Sequence, residues 1–196
     1  AEFYKNALDY IIELNLKGVE LIERMSAIYL SRILTNRDAN YMELRSPCGA
    51  GIGQIAYNYD GQVFTCDEGR MMAKQGVDLF RMGHLDQDNY GELLESDAVR
   101  TLVLASIQDG LPLCNECAYK PYCGVCPIYN YSTEGDLVGK GPSNGRCKLA
   151  LSSFDGLFGY LKRNDPAIMA IFERWITLRQ RQVEACDPKG CACAKG

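Results

Sequence analysis

Seven of the ten cysteines fall between residues 48 and 147, and their spacing constrains the fold more than any other feature of the sequence. They are Cys48, Cys66, Cys114, Cys117, Cys123, Cys126 and Cys147. Two residues separate Cys114 from Cys117 and Cys123 from Cys126, so both thiols of each pair can hold one metal centre from a single turn. Residues 1–4 have neither the basic nor the apolar region of a signal peptide. Clustered cysteines in a chain without a secretion signal indicate metal or redox chemistry.

Three kinds of site are compatible with this spacing. Iron–sulfur ligation is favoured, because bacterial ferredoxins also divide a cysteine run that ends in Cys-Pro between two clusters. Structural zinc held by four cysteines is the alternative, since paired C-x2-C groups also occur in zinc ribbons, and disulfides are the third possibility. His84 is the only histidine, which nearly excludes zinc sites of mixed ligation. Seven thiolates leave one of two four-ligand sites incomplete, which an iron–sulfur cluster tolerates and a closed zinc site does not.

Residues 1–47 contain no cysteine and are predicted to form a helix, a strand and a helix. Apolar residues at helical spacing precede Gly18, which is a stop signal. Residues 19–23 alternate in polarity like a half-buried strand, and residues 25–34 return to helical spacing. A single βα unit cannot cover its own apolar surface, so we expect it to belong to a larger parallel sheet that lies mostly outside this chain. One continuous helix is the alternative.

The segment between the first two cysteines predicts a β-hairpin. Residues 55–59 and 62–65 alternate in polarity on either side of Asp60-Gly61, a pair typical of a type I′ turn. Because a hairpin brings its two ends together, Cys48 and Cys66 should reach one metal centre.

The rest of the chain predicts helices on either side of a long loop region. Residues 90–106 predict a helix, whereas residues 107–147 are rich in Gly, Pro, Cys and Tyr and predict loops. Residues 148–184 predict helices, of which the last begins with Asp165 as N-cap and Pro166 in the first helical position.

Charge and hydropathy exclude two classes of partner. The chain has 21 Lys and Arg against 25 Asp and Glu, a net charge of −4, and no basic block. Such a protein is a poor nucleic-acid binder. No apolar run approaches the roughly 20 residues of a membrane span. We therefore expect a cytoplasmic protein, and the absence of an initiator Met leads us to expect a fragment or a processed form.

The order of the cysteines resembles that of the SPASM domain, the seven-cysteine domain that follows the barrel of radical S-adenosylmethionine (SAM) enzymes. The general pattern is a cysteine, a Gly-x4-Cys, a tight run of four cysteines and a last cysteine. Here these are Cys48, Gly61 to Cys66, the run from Cys114 to Cys126, and Cys147. The resemblance covers about residues 46–150. Residues 47–54 and 121–127 further resemble the maturase of the His-Xaa-Ser peptide systems. One departure is that only two residues, where three are usual, separate Cys123 from Cys126.

The resemblance implies an α+β chain. It would begin with the end of a radical SAM (β/α) barrel and continue into a small β-hairpin, a loop-rich, cysteine-ligated SPASM domain and C-terminal helices. The expected boundaries are 1–46 for the terminal βα unit, 47–150 for the SPASM auxiliary-cluster domain, 151–184 for the helices and 185–196 for a cysteine-containing tail.

Two auxiliary [4Fe–4S] clusters are also implied. The ligands would be Cys48, Cys66 and Cys126 for the barrel-proximal cluster, and Cys114, Cys117, Cys123 and Cys147 for the distal cluster. The proximal cluster would either keep an open iron or take a fourth ligand from the tail, whose thiols are Cys186, Cys191 and Cys193. Asp67 stands where sulfatase-maturing relatives have a proton acceptor, and a cap for the following helical turn is the alternative role.

The function implied is the auxiliary-cluster portion of a radical SAM enzyme that modifies a peptide or protein, with roles in electron transfer and substrate binding. The C-x3-C-x2-C loop that anchors the SAM-cleaving cluster does not occur in these 196 residues. SAM and a third [4Fe–4S] cluster would therefore belong to the barrel of the same parent chain, and this chain alone should not start radical chemistry. The alternative is a scaffold stabilised by four-cysteine zinc sites that binds a peptide or another partner.

Overall fold

The computed structural model describes residues 2–35, 37–39 and 41–185, so the three tail cysteines lie outside the described residues. Helices make up 57% of the fold and one small antiparallel sheet supplies its strands, which is compatible with the expected α+β class. The helices are α1 (Glu2–Leu16), α2 (Arg24–Leu34), α3 (Asp67–Ala73), α4 (Tyr90–Leu94), α5 (Asp97–Ser106), α6 (Pro127–Glu134), α7 (Gly145–Arg163) and α8 (Pro166–Ala185). The strands are β1 (Ala56–Tyr57), β2 (Gln62–Phe64) and β3 (Arg81–His84).

The chain divides into two units. Helices α1, α2 and α8, with α7 from Arg146 onward, belong to the first unit, and Met42–Gly145 forms the second. The core of the first unit contains the aromatic side chains of α7 and α8. Phe154, Phe172 and Trp175 are all fully buried. The ring centroids of Phe154 and Tyr29 lie 4.6 Å apart, within the range at which aromatic pairs stabilise a core beyond their buried area.

The start of α8 is as predicted. The Asp165 carboxylate accepts the backbone N–H of Ala167 at 2.9 Å and that of Ile168 at 3.3 Å. Pro166 occupies the first helical position, where its missing N–H would have no intrahelical partner in any case.

The strand predicted for residues 19–23 does not form in this chain. Helix α1 ends at Leu16, and Gly18, shortly after it, has a φ of +87°. The alternative of one continuous helix is therefore also wrong. Glu23 is the N-cap of α2. Within the described part of the chain, residues 19–23 pair with no strand. Residues 1–46 were expected to form the end of a radical SAM barrel, and that barrel is not in this chain. A strand here therefore has no neighbour with which to pair.

Asn15 holds the 19–23 segment against the first unit. Its side-chain amide donates to the carbonyls of Ile11 and Leu21, both at 2.8 Å. Its oxygen accepts a hydrogen bond from Arg174 of α8, whose guanidinium also lies 3.6 Å from Glu20. Because Asn15 is buried, these bonds are made away from bulk water.

The sheet of the second unit contains the predicted hairpin and one further strand. β2 lies in the centre, with β1 and β3 antiparallel on either side. Ala56 pairs with Phe64 and Tyr57 with Val63, which confirms the hairpin. β3 was not predicted, and places Gly83 opposite Val63.

The turn of the hairpin is not type I′. Asn58 N–H donates to the carbonyl of Gln62 at 2.9 Å, and Gly61 N–H donates to that of Asn58 at 3.1 Å. In this loop only Gly61 has a positive φ, of +86°. Three-residue hairpin loops need only one left-handed residue, whereas type I′ needs two. Asp60 instead accepts the N–H of Gln62 with its carboxylate at 3.1 Å.

Residues 90–106 form two helices where one was predicted. Asn89 and Glu92 make a capping box at the start of α4, and α5 starts anew at Asp97. Helix α6 was also not predicted. It begins at Pro127 directly after Cys126, at the position where helices favour proline. Among the described residues, no helix is both long and apolar enough to cross a membrane.

We predict that Asn15→Ala lowers the free energy of unfolding by about 1–3 kcal/mol, because it leaves the carbonyl of Leu21 without its donor. Urea denaturation measures the change. Asn6→Ala is the matched control, since Asn6 is exposed on the same helix, and we expect a change within about 0.5 kcal/mol. Equal effects of the two substitutions would contradict the role assigned to Asn15.

Candidate metal centre

Three of the predicted ligands meet in one apolar cluster of the second unit. Cys48 and Cys66 are 5% and 6% exposed, and half-buried Cys126 packs against the same cluster. Phe80 and Ile128 are among the buried side chains around them. The three thiols come from separate parts of the chain. Cys48 lies in the loop before β1, Cys66 is the N-cap of α3, and Cys126 is the N-cap of α6. The fold therefore brings together residues as far apart in sequence as 48 and 126.

Hydrogen bonds from two directions hold the loop that carries Cys48. The N–H of Cys48 donates to the Ser106 hydroxyl at 2.9 Å, and that hydroxyl donates to the carbonyl of Leu102 at 2.6 Å. On the other side, Gly51 N–H donates to the carbonyl of Thr65 at 2.7 Å. Thr65 directly precedes Cys66, so these bonds connect the chain around the first cysteine to the chain around the second.

Cys66 is buried in surroundings that favour its neutral thiol. Burial is the largest of the effects that raise the pKa of Cys66 to about 12. The Glu68 carboxylate and the Cys126 thiol raise that pKa further, whereas a hydrogen bond from the N–H of Gly69 acts in the opposite direction. Cys126 accepts the N–H of Tyr129 with its sulfur at 3.4 Å, at the start of α6. Metal binding requires the thiolate, so loading at Cys66 must release a proton.

A series of turns carries three of the four cysteines assigned to the distal site. The N–H of Cys117 donates to the carbonyl of Cys114 at 3.2 Å, that of Lys120 to Cys117 at 3.0 Å, and that of Cys123 to Lys120 at 3.4 Å. All three cysteines are half-buried. Partial burial raises the pKa of Cys114, and the nearby Cys117 adds to this effect.

Gly124, between Cys123 and Cys126, lies against the backbone of another segment. A Cβ atom added here would overlap the backbone of Glu43 and Leu44. Neither backbone group can move aside as a flexible side chain could, so position 124 requires glycine. The contact also fixes the loop against the segment that leads to Cys48.

The sequence analysis did not identify two residues that contact the predicted ligands. Ser106 and Gln108, both buried, hydrogen-bond to the chain around Cys48 and Cys123. Neither belongs to a motif, and both partners are distant in sequence, so no local signal could have found them.

The remaining candidates are Cys147, Asp67 and His84. Cys147 is the third residue of α7, is half-buried and belongs to the first unit. Asp67 is the first residue of α3, and its exposed carboxylate forms an ion pair with Arg70 at 2.6 Å. His84 donates from Nε2 to the carbonyl of Asp60 at 2.8 Å, and its ring lies where a Cβ on Gly61 would be. His84 therefore belongs to the hairpin, whereas Asp67 and Glu68 are both exposed carboxylates next to Cys66.

The donor set fits a thiophilic centre. Among the residues that the structure describes, no three His, Cys, Asp or Glu side chains surround a position for a single ion. Three thiols nevertheless belong to one apolar cluster. The hydroxyl of the fully buried Thr65, which directly precedes Cys66, has no hydrogen-bond partner among the described residues. A Cβ on Gly69 would lie 3.2 Å from that hydroxyl and 2.9 Å from Phe80. An unpaired buried hydroxyl is costly, and a sulfur-rich group beside it would supply an acceptor.

Solved structures of anSMEcpe, a radical SAM anaerobic sulfatase maturase, have a similar fold. The structure of histidine-tagged anSMEcpe with bound AdoMet matches with a TM-score of 0.58 at 20% identity, over 87% of this chain and 42% of that chain. "Native anSMEcpe with bound AdoMet and Kp18Cys peptide" matches with a TM-score of 0.54 at 20% identity, over 91% of this chain and 42% of that chain. This chain thus spans less than half the length of the solved chains that it resembles. No family model and no curated protein matches the sequence. At this identity, the likeness shows a shared fold.

We predict that the metal-free, reduced protein loses stability as the pH rises from about 9 to about 12. The pKa of Cys66 is raised from 9.0 to about 12, so the folded state holds its proton where the unfolded state has lost it, and stability must fall with pH in that window. Cys66→Ser should make the fall shallower, as measured by urea denaturation at several pH values.

Tyr160→Phe is the comparison in the first unit. Burial, followed by the hydrogen bond to Asp9, raises the pKa of Tyr160 to about 12, so this phenol contributes its own share of the same fall. The effects of the two substitutions should add, since the residues share no partner. An unchanged slope in Cys66→Ser would contradict the burial of its thiol.

Proposed function

We propose that this chain is the auxiliary-cluster portion of a radical SAM enzyme that modifies a peptide or protein, and that it holds two [4Fe–4S] clusters. The observation that carries the proposal is the convergence of Cys48, Cys66 and Cys126 in one buried cluster. The likeness of the fold to part of anSMEcpe supports it. The subfamily that matures His-Xaa-Ser peptides is the narrower form of the same proposal.

At the proximal site, the chain supplies three thiolates and excludes water from them. Phe80 and Tyr131 pack edge to face with centroids 5.8 Å apart beside the thiols. The N–H groups of Gly69 and Tyr129 point at the sulfurs of Cys66 and Cys126. Bound clusters accept and donate single electrons, at potentials set by burial and by hydrogen bonds to sulfur. The surrounding aromatic side chains and backbone N–H groups would therefore set the redox potential of this site.

At the distal site, the loop of successive turns would supply Cys114, Cys117 and Cys123, and the start of α7 would supply Cys147. The three loop thiols are more exposed than Cys48 and Cys66. This difference in burial favours distinct redox potentials at the two sites, because burial is one of the quantities that set the potential.

The parent enzyme would supply SAM, a third cluster and the barrel. Residues 19–23 are suited to join a barrel sheet: Val19, Leu21 and Ile22 are exposed, and in the described part of the chain no backbone carbonyl accepts the N–H of Leu21 or Ile22. A peptide substrate is supported by the solved anSMEcpe structures that contain the Kp18Cys and Cp18Cys peptides.

The iron content tests the main proposal. Reconstituted without oxygen, the chain should bind about eight irons as two four-iron clusters. Cys66→Ala and Cys117→Ala should each lower this to about half, because each removes a ligand of one site only. Iron analysis and electron paramagnetic resonance (EPR) of the reduced protein measure the two losses separately. A colourless protein with about two zinc ions would favour the zinc-stabilised scaffold instead.

Asp67 is proposed as the proton acceptor of the parent enzyme, because its exposed carboxylate directly follows a cluster ligand. Asp67→Asn in the parent chain should lower turnover by about 100-fold and leave the iron content unchanged. The matched control is Asp78→Asn, since Asp78 is also exposed and pairs with an arginine three residues on, Arg81, at 2.7 Å. Full turnover in Asp67→Asn would show that Asp67 is not the proton acceptor and that its role is limited to the ion pair with Arg70.

A further inference from the structure

One short segment at the end of α5, residues 106–108, forms hydrogen bonds both to the chain around Cys48 and to the chain around Cys123. The Ser106 hydroxyl, fully buried, accepts the N–H of Cys48 at 2.9 Å. Two residues later, the Gln108 side-chain amide lies beside the carbonyls of Cys123 and Lys120. With its nitrogen turned toward them it donates to both at 3.3 Å, whereas the opposite orientation would place its oxygen against two acceptors. Gln108 is 3% exposed, and its backbone N–H donates to the Ser46 hydroxyl at 3.0 Å.

These bonds join the two groups of cysteines through one short segment. Cys48 belongs to the buried thiol cluster, and Cys123 belongs to the loop of turns. A side-chain amide has two N–H donors, and Gln108 uses its amide on two carbonyls of the same turn. The residue bonded by Ser106 is 58 positions away, and that bonded by the backbone of Gln108 is 62 positions away.

An independent contact fixes the same two segments against each other. Gly124 lies against the backbone of Glu43 and Leu44 with no room for a Cβ atom. The chain before Cys48 and the chain after Cys123 are therefore in direct contact, while the 106–108 segment holds them from another direction. Two sets of contacts leave little freedom in the separation of Cys48 from Cys123.

We propose that Ser106 and Gln108 are positioning residues that set the separation and the stability of the two metal centres, each acting through the backbone of one ligand. Ser106 acts through Cys48 on the proximal centre, and Gln108 acts through Cys123 on the distal centre. This inference rests on the proposed function. Residues that orient metal ligands typically change metal affinity by about 10–100-fold when substituted, and a fixed separation keeps the electronic coupling between the centres constant.

Each residue has a substitution that removes its hydrogen bonds with little change of volume. Ser106→Ala removes the hydroxyl. Gln108→Met removes both amide donors without burying a charge, and Gln108→Glu keeps the shape but replaces the donors with a carboxylate that faces two carbonyls. Asp109→Asn is the matched control, because it removes an exposed ion pair with Lys120 at 2.6 Å in the same loop and touches none of these bonds.

The experiment follows iron loss to a chelator from the reconstituted chain, with the two centres distinguished by EPR. Ser106→Ala should speed the loss from the proximal centre about 10-fold and leave the distal centre near the rate of the unsubstituted chain. Gln108→Met should do the reverse. Both should change the spin–spin splitting between the two reduced centres, a quantity that a loss of stability alone does not move. Asp109→Asn should change neither rate nor splitting.

Thermal unfolding of each metal-free variant shows whether it folds, and Gln108→Met remains informative if Gln108→Glu does not fold. Equal acceleration at both centres, or unchanged rates and splitting in folded variants, would overturn the positioning roles while leaving the iron-binding proposal intact. An unsubstituted chain that binds no iron would instead overturn the proposed function, and the positioning roles with it.

Discussion

The burial of three thiols in one apolar cluster is the constraint on which the second unit depends. Cys48 and Cys66 are almost inaccessible, and Cys126 packs beside them. An anionic thiolate is costly in such surroundings, which is why the pKa of Cys66 rises to about 12. A bound cationic centre would reverse this preference, because metal coordination favours the thiolate. The same burial that favours the neutral thiols would therefore link metal binding to proton release.

Hydrogen bonds from side chains to the backbone replace an extended core in the loop-rich parts of this unit. Gln108 holds the turn that ends at Cys123. Asn130 of α6 donates to the carbonyls of Leu137 and Val138, both at 3.1 Å, and accepts a bond from Asn144 at 3.1 Å. Buried amides can satisfy several backbone groups at once, so a few side chains order a long stretch that has little regular secondary structure.

The first unit has a different construction. Its helices bury a continuous aromatic and aliphatic core, and Asn15 with Arg174 holds the 19–23 segment across α1 and α8. This polar connection leaves the apolar side chains of the segment exposed.

The sequence by itself determined the features that depend on neighbouring residues. Asp60-Gly61 predicted the hairpin and with it the approach of Cys48 to Cys66, and Asp165-Pro166 predicted the start of α8. Each of these signals acts within a few residues, through a positive φ, an N-cap or a missing N–H. Tertiary structure decided the rest. The turn type depended on the register with Gln62, and the strand at residues 19–23 needed a partner that this chain does not contain. The contacts of Ser106, Gln108 and Gly124 join segments that are about 60 to 80 positions apart, and no local pattern encodes a hydrogen bond or a backbone contact over such a distance.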